Sequence, residues 1–263
     1  MTERSGGATC RDGAILLATQ RAGADGKLLT FLTRGKGLAR IYYRRFRRRM
    51  RVEFIDTLQQ GELLYSPATE FMPGRLHSFH CERVWPHIRS SLDNLVCALQ
   101  LAETAVLLGS EGEPAPEMYD LLLAVLDHLE GDGDTETLRI LFILRALQAA
   151  GFAPGVERCF VCRKEIAPPA FFASQGGAMC AGCRRERGGV SRPVTPGALS
   201  VMKRSLLLPL ARADRLKVGR RLGEEILPLL QDALETALDA RPKSTHFPAR
   251  INRGLHRTGA APL

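Results

Sequence analysis

The stretch CFVCRKEIAPPAFFASQGGAMCAGC, residues 159–183, carries four cysteines in two pairs, Cys159 and Cys162, then Cys180 and Cys183. The spacing C-x2-C-x17-C-x2-C is that of a tetrahedral structural zinc site. Each Cys-x-x-Cys can turn two thiolates onto one ion, and Gly176 and Gly177 let the intervening chain bring the second pair back. All four ligands come from the protein, so no coordination position stays open for water or substrate. The Zn2+ expected here is therefore structural. The segment has few apolar residues of its own, whereas a bound zinc contributes roughly 10–16 kcal/mol to such modules.

Other readings of the cysteines explain less. Disulfides suit a secreted chain, but residues 1–11 contain no apolar signal core. No run approaches the ~18 apolar residues of a membrane span, so no membrane partner is expected. The expected compartment is a reducing cytoplasm. A redox Cys-x-x-Cys does not account for two copies at this distance. Cys10, Cys81 and Cys97 stand apart from the pairs and read as ordinary half-buried residues. His80-Cys81-Glu82 spells the H-x-E of nucleobase deaminases, but neither cysteine pair follows a proline and one pair would have no role. With no G-x-x-x-x-G-K-[ST] and no G-x-G-x-x-G between strand and helix, nucleotide hydrolysis is not supported.

Charge alternates along the chain. Residues 1–80 carry 14 basic and 7 acidic side chains, 81–156 carry 4 and 12, and 157–263 carry 19 and 9, giving +7, −8 and +10 and the formal total of +9. Polyanions respond to local basic surface, so nucleic acid is expected to meet the two ends and not the middle. A chain of 263 residues, 45% hydrophobic and 25% charged, is globular in composition and long enough for two or three modest domains.

Upstream, short runs punctuated by glycine and charge predict strands at 14–18, 28–33, 38–43, 52–55 and 63–65, with a further one at 76–79. Such strands suit a small closed barrel, of which the five-stranded OB-fold is the common nucleic-acid-binding form. Between the third and fourth runs lies the densest charge in the chain: Arg40, Arg44, Arg45, Arg47, Arg48, Arg49 and Arg51, with Tyr42, Tyr43 and Phe46 interleaved. Arginine pairs with phosphate oxygens and stacks on bases, and aromatic rings stack on any base. Together with Arg34 and Lys36 on the preceding turn, Arg40, Tyr42, Arg44, Arg45, Arg47, Arg48, Arg49 and Arg51 form the candidate DNA-binding set. Neighbours on a strand point to opposite sides, so one of Tyr42 and Tyr43 is expected in the core.

From Trp85 onward apolar residues return every three or four positions. This predicts a helix to Leu108, a second after Pro114-Ala115-Pro116, and a third over 135–150 that is apolar on most sides. After the cysteines, Thr195-Pro196 is a helix start, and a last helix is expected over 219–240, interrupted early by Pro228. The fold class that results is α+β and multi-domain. Residues 1–80 form an OB-fold-like barrel, 81–156 and 193–240 a helical domain, 157–192 an inserted four-cysteine zinc module, and 241–263 a basic flexible tail.

The stretch Leu138–Pro154, LRILFILRALQAAGFAP, followed closely by Cys159-Phe160-Val161-Cys162, resembles the RecO family of DNA repair proteins. Fainter echoes are the L-L-T-x-L-T-x-x-x-G pattern of Leu28 to Gly37 and Thr195-Pro196-Gly197-Ala198-Leu199. The resemblance implies a recombination mediator that is not an enzyme. Such a protein binds single- and double-stranded DNA, anneals complementary strands, partners RecR, engages the acidic C-terminal tail of SSB and helps load RecA. It also implies a bacterial cytoplasm and association with the nucleoid. One departure is visible: where the family usually has a glycine-containing turn with a few basic residues after the third strand, this chain has Tyr42-Tyr43-Arg44-Arg45. The competing reading is a zinc-ribbon enzyme that processes nucleic acid through a catalytic site the sequence does not reveal.

Overall fold

The computed structural model describes residues 9–23, 26–44, 55–69, 74–131 and 133–238, the side chains of Arg44 and Asp214 excepted. The segment 241–263 and the arginines from Arg45 to Arg51 lie outside the described residues.

Five strands, β1 (Cys10–Ala22), β2 (Gly26–Thr33), β3 (Gly37–Arg44), β4 (Gln59–Ser66) and β5 (Gly74–Val84), close into a barrel in the order β1-β2-β3-β5-β4. All neighbours are antiparallel except β3 and β5, which meet in parallel through Ile41 opposite Gly74 and Tyr42 opposite Arg75. Strict alternation along β4 sends Gln59, Gly61, Leu63 and Tyr65 inward. Leu16, Leu29, Phe31, Ile41, Leu63 and Phe79 fill the interior, with the rings of Phe31 and Phe79 5.2 Å apart. Gly61 is required where β4 meets β5, since a Cβ there would lie 1.9 Å from the carbonyl oxygen of His80.

The observed strands are longer than the apolar runs that announce them. β1 has a register irregularity between Leu16 and Ala18, which lets one strand serve both β2 and β4. The strand expected over 52–55 falls outside the described residues except for Ile55, which belongs to no strand. The fifth place in the barrel is taken by β5, the strand anticipated at 76–79.

Trp85, nearly fully buried, ends the barrel. The continuous helix expected from it is in fact two: α1 (Pro86–Ser90) and α2 (Leu92–Leu108). Ser91 divides them, because its extended backbone and its hydroxyl, which accepts from the Asn94 amide, make it the N-cap of α2. α3 (Pro116–Glu130) and α4 (Thr135–Ala149) follow, the latter capped by the Asp134 carboxylate accepting from Thr137 N. Leu138, Ile140, Leu141, Phe142, Leu144 and Leu147 are all buried on α4, so it is covered on nearly every side. The elements that cover it are α2, α3, α6 (Pro196–Leu207) and α7 (Arg220–Leu238).

Between α4 and α6 the chain builds a three-stranded sheet in the order β7-β6-β8, from β6 (Ala170–Ala173), β7 (Gly177–Cys180) and β8 (Arg192–Val194), with the short α5 (Ala181–Arg187). Burial contributes more here than the sequence suggested: Ala170, Phe172, Ala178 and Val194 join the main hydrophobic cluster of the helices. Ile15, Leu17, Leu32 and Leu38 of the barrel join it too, so barrel and helices share an apolar interface. α7 runs unbroken through Pro228 where an interruption was expected, because its buried stripe of Ile226, Leu229, Leu230, Ala233 and Leu234 holds the helix in place. Among the described residues no helix is long and apolar enough to cross a membrane.

Candidate metal centre and basic barrel edge

The first cysteine pair sits on a tight knuckle. Arg163 N donates to Cys159 O and Cys159 N to Lys164 O, with Arg163 at φ +62°. Phe160 N donates to Ala178 O and so ties this knuckle to β7. The second pair straddles the start of α5, with Cys180 as its N-cap and Cys183 in its first turn. Gly177 allows the approach: at φ +100°, any Cβ on it would lie 2.2 Å from Gly155 O.

The four sulfurs lie within 4.8 Å of one another, and those of Cys162 and Cys180 are 3.8 Å apart. A tetrahedron with metal–sulfur bonds of about 2.3 Å has sulfur–sulfur edges of about 3.8 Å. The sulfurs also act on one another's ionisation. Burial opposes ionisation of Cys159, but backbone amides of Cys162, Cys180 and Val161 aimed at its sulfur outweigh that and bring the thiol down to about 6. Cys183 moves the other way, up to about 12, through its hydrogen bond with Cys162, its burial and the neighbouring Cys180 and Cys159. Four thiolates cannot coexist at this spacing without a cation among them, and the cluster fits a metal ion.

Among the described residues these four cysteines form the one group able to hold a metal, and neither His80 nor Glu82 belongs to it. Cys10 and Cys81 are half-buried as expected, whereas Cys97 is fully buried on α2.

On the barrel, Arg34, Lys36 and Arg40 are exposed on the β2–β3 hairpin. Tyr42 is 36% exposed, while Tyr43 packs against the barrel core, so the inward member of the tyrosine pair is Tyr43. The Tyr42 hydroxyl lies over Gly26, where a Cβ would come within 2.4 Å of it. Arg44 ends β3, and Arg45, Arg47, Arg48, Arg49 and Arg51 lie outside the described residues.

Two of these arginines already have partners that the sequence did not indicate. Arg34 pairs with Asp120 of α3 at 2.9 Å, and Arg40 with Glu111 of the α2–α3 loop at 2.7 Å. Hydrogen bonding to Asp120 and its charge hold the Arg34 guanidinium above its ordinary pKa. The loop is pinned to the hairpin by main chain: Leu38 N donates to Ser110 O, and Ala115 N to Arg34 O. Gly37, at φ +62°, makes this close approach possible, since a Cβ there would lie 2.4 Å from both Ser110 O and Glu113 O. The partners are 71 to 86 residues apart in sequence, and their only advance signal was the opposite charge of segments 1–80 and 81–156.

The basic residues of the last third are also partly engaged. The Arg184 guanidinium stacks 4.0 Å from the Phe171 ring and that of Arg187 lies 5.7 Å from the ring of Phe160. Lys203 pairs with Glu157, Arg192 with Asp232 and Arg220 with Glu224.

A closed OB-like barrel running into a helical core, with a four-cysteine module capable of holding a metal between two of the core helices, defines the class of this protein. Residues 89–246 match the family profile described as "Recombination protein O C terminal". The chain is 37% identical over 186 residues to the DNA repair protein RecO of Pelotomaculum thermopropionicum, covering 69% of this chain and 71% of that one. To the DNA repair protein RecO of an Anaeromyxobacter species it is 30% identical over 242 residues, 89% of this chain and 93% of the relative. To that of Syntrophus aciditrophicus it is 27% identical over 250 residues, 93% and 91% of the two chains. The chain belongs to the RecO family of DNA repair proteins.

Proposed function

We propose that this protein is a recombination mediator that works without turnover, binding single- and double-stranded DNA and annealing complementary strands. The observation that carries this reading is the exposed edge of the β2–β3 hairpin, where Arg34, Lys36, Arg40 and Tyr42 stand on a barrel of a DNA repair family. In this reading Arg44, Arg45, Arg47, Arg48, Arg49 and Arg51, which follow in sequence, also belong to the DNA-binding set. Annealing suits such a surface, because two phosphate backbones repel and a cationic protein that neutralises both lowers the barrier to their encounter.

The metal in this reading is Zn2+, the ion that four thiolates in a tetrahedron select most readily, and it is structural. Residues 1–80 act as the DNA-binding unit, 157–192 as the zinc module, and 81–156 with 193–240 as the helical frame. The partners are those the family resemblance implies: RecR, the acidic C-terminal tail of SSB and, through them, RecA, in the cytoplasm at the nucleoid.

The test is annealing of complementary DNA strands coated with SSB, with the protein added and ATP left out. Acceleration that fades as salt rises is the expected result. Single-strand binding without acceleration would overturn the mediator reading. Turnover of the DNA itself would replace it with a zinc-ribbon enzyme.

A further inference from the structure

Two of the side chains placed to meet phosphate on the described part of the barrel already hold an anion. Arg34 and Arg40 each hold a carboxylate from the acidic middle of the chain, Asp120 at 2.9 Å and Glu111 at 2.7 Å. Both ion pairs are open to water, with every side chain between 42% and 57% exposed. Exposed pairs of this kind are weak and are exchanged readily for another anion.

Backbone hydrogen bonds nevertheless fix the segment that carries Glu111 and leads into α3, the helix of Asp120. The segment Ser110–Ala115 is hydrogen-bonded to Leu38 and Arg34 on both sides of the hairpin turn, and a glycine at position 37 is needed for it to come so close. Glu111 also forms bridges with Gly37 and Leu38. The main chain thus keeps Glu111 at the hairpin and anchors the N-cap of α3, the helix that carries Asp120, whether or not the side chains are paired.

We infer that Glu111 and Asp120 form an acidic clasp that stands in for DNA phosphates on the barrel edge, so that a strand must displace them to bind Arg34 and Arg40. The inference rests on the barrel edge being the DNA site. Its consequence is selective: an isolated phosphate gains little by replacing a carboxylate already in place, whereas a continuous backbone that also reaches Lys36 and Tyr42 displaces both at once. The clasp therefore discriminates against short or sparsely charged anions and in favour of extended strands.

The experiment measures binding of the full-length protein to a fluorescently labelled oligothymidylate across a range of salt concentrations. Four variants are compared: the single variants E111Q and D120N, the pair together, and E113Q/E117Q, which removes the same charge from exposed acids of the same region that have no ion pair among the described residues. The double variant E111Q/D120N is expected to bind about fivefold more tightly, each single variant giving part of the gain. The slope of log affinity against log salt should stay as in the unaltered protein, because phosphates end on Arg34 and Arg40 in both and only the cost of displacing the carboxylates differs. E113Q/E117Q should leave the affinity close to that of the unaltered protein.

Unchanged or weaker binding by E111Q/D120N and by both single variants would overturn the clasp. So would an equal gain in E113Q/E117Q, which would reduce the effect to net charge. The variant R34A/R40A separates this from failure of the underlying site. If it binds DNA as well as the unaltered protein, the barrel edge is not the DNA site; if it binds less well while E111Q/D120N is unchanged, the site stands and the clasp does not.

Discussion

Single residues account for the metal centre. Replacing Cys180 with Ser removes one thiolate from a cluster whose sulfurs lie within 4.8 Å of one another. Because metal binding and folding are coupled, we expect C180S to lose its capacity to hold a metal ion and to melt at lower temperature, as read by elemental analysis and thermal unfolding. Retained thermal stability with lost DNA activity would remove the structural role. Cys97 gives a second expectation at this scale. Its thiol is pushed up from 9.0 to about 12, chiefly by burial, and it donates to Thr135 O. Above pH 9.0 the unfolded chain gives up a proton that the folded chain keeps, so stability should fall as pH rises through the window up to about 12. The loss is at most about 1.4 kcal/mol per pH unit. Denaturant unfolding at several alkaline pH values should show this slope in the unaltered protein and a shallower one in C97A. The clustering of the four cysteines was readable from spacing alone, since two Cys-x-x-Cys pairs at this distance have one common use. The acid partners of Arg34 and Arg40 were not, because ion pairs across 71 to 86 residues have no periodic signature.

At the scale of elements, α4 is the post around which the helices assemble. Leu141 is fully buried there, and Leu141→Ala should cost about 2–5 kcal/mol in a denaturant titration. α6 begins at a joint that Thr195 makes twice: its hydroxyl accepts from Ala198 N and donates to Glu225, which also accepts from Thr195 N. Thr195→Ala should cost about 1–2 kcal/mol by the same measurement. Helix existence was legible throughout because the apolar spacing is regular. Two boundaries were not. Ser91 splits the first helix through a cap that periodicity cannot register, and Pro228 fails to stop the last one because a buried apolar stripe outweighs the lost hydrogen bond. The strands were foreshortened for a related reason: their polar ends, such as Arg21 of β1 and Arg83 of β5, pair in the ladder without any apolar residue to mark them.

Across the whole molecule, segments of opposite charge are packed together, with the +7 segment 1–80 bound to the −8 segment 81–156 by Arg34–Asp120, Arg40–Glu111 and, from the helical side, Arg89–Asp56. The formal charge available to a polyanion is thus smaller than the sequence total suggests. Substituting Arg44, Arg45, Arg47, Arg48 and Arg49 together with Ala should weaken single-strand binding and flatten its salt dependence by about 0.7 for each phosphate no longer neutralised. An unchanged slope in a titration against salt would remove these arginines from the DNA-binding set.

The position of the four-cysteine module between α4 and α6 also bears on how the protein is made. α4 is apolar on almost all sides, yet two of the helices that cover it, α6 and α7, are encoded only after the module. At ~5–20 residues per second of synthesis, α4 waits several seconds for its last cover. During that interval a greasy helix is exposed on a nascent chain, and any ribosomal pause within residues 150–220 prolongs it. A chain released before α7 should accordingly be recovered in inclusion bodies and bound to chaperones, even when its barrel and metal centre are intact.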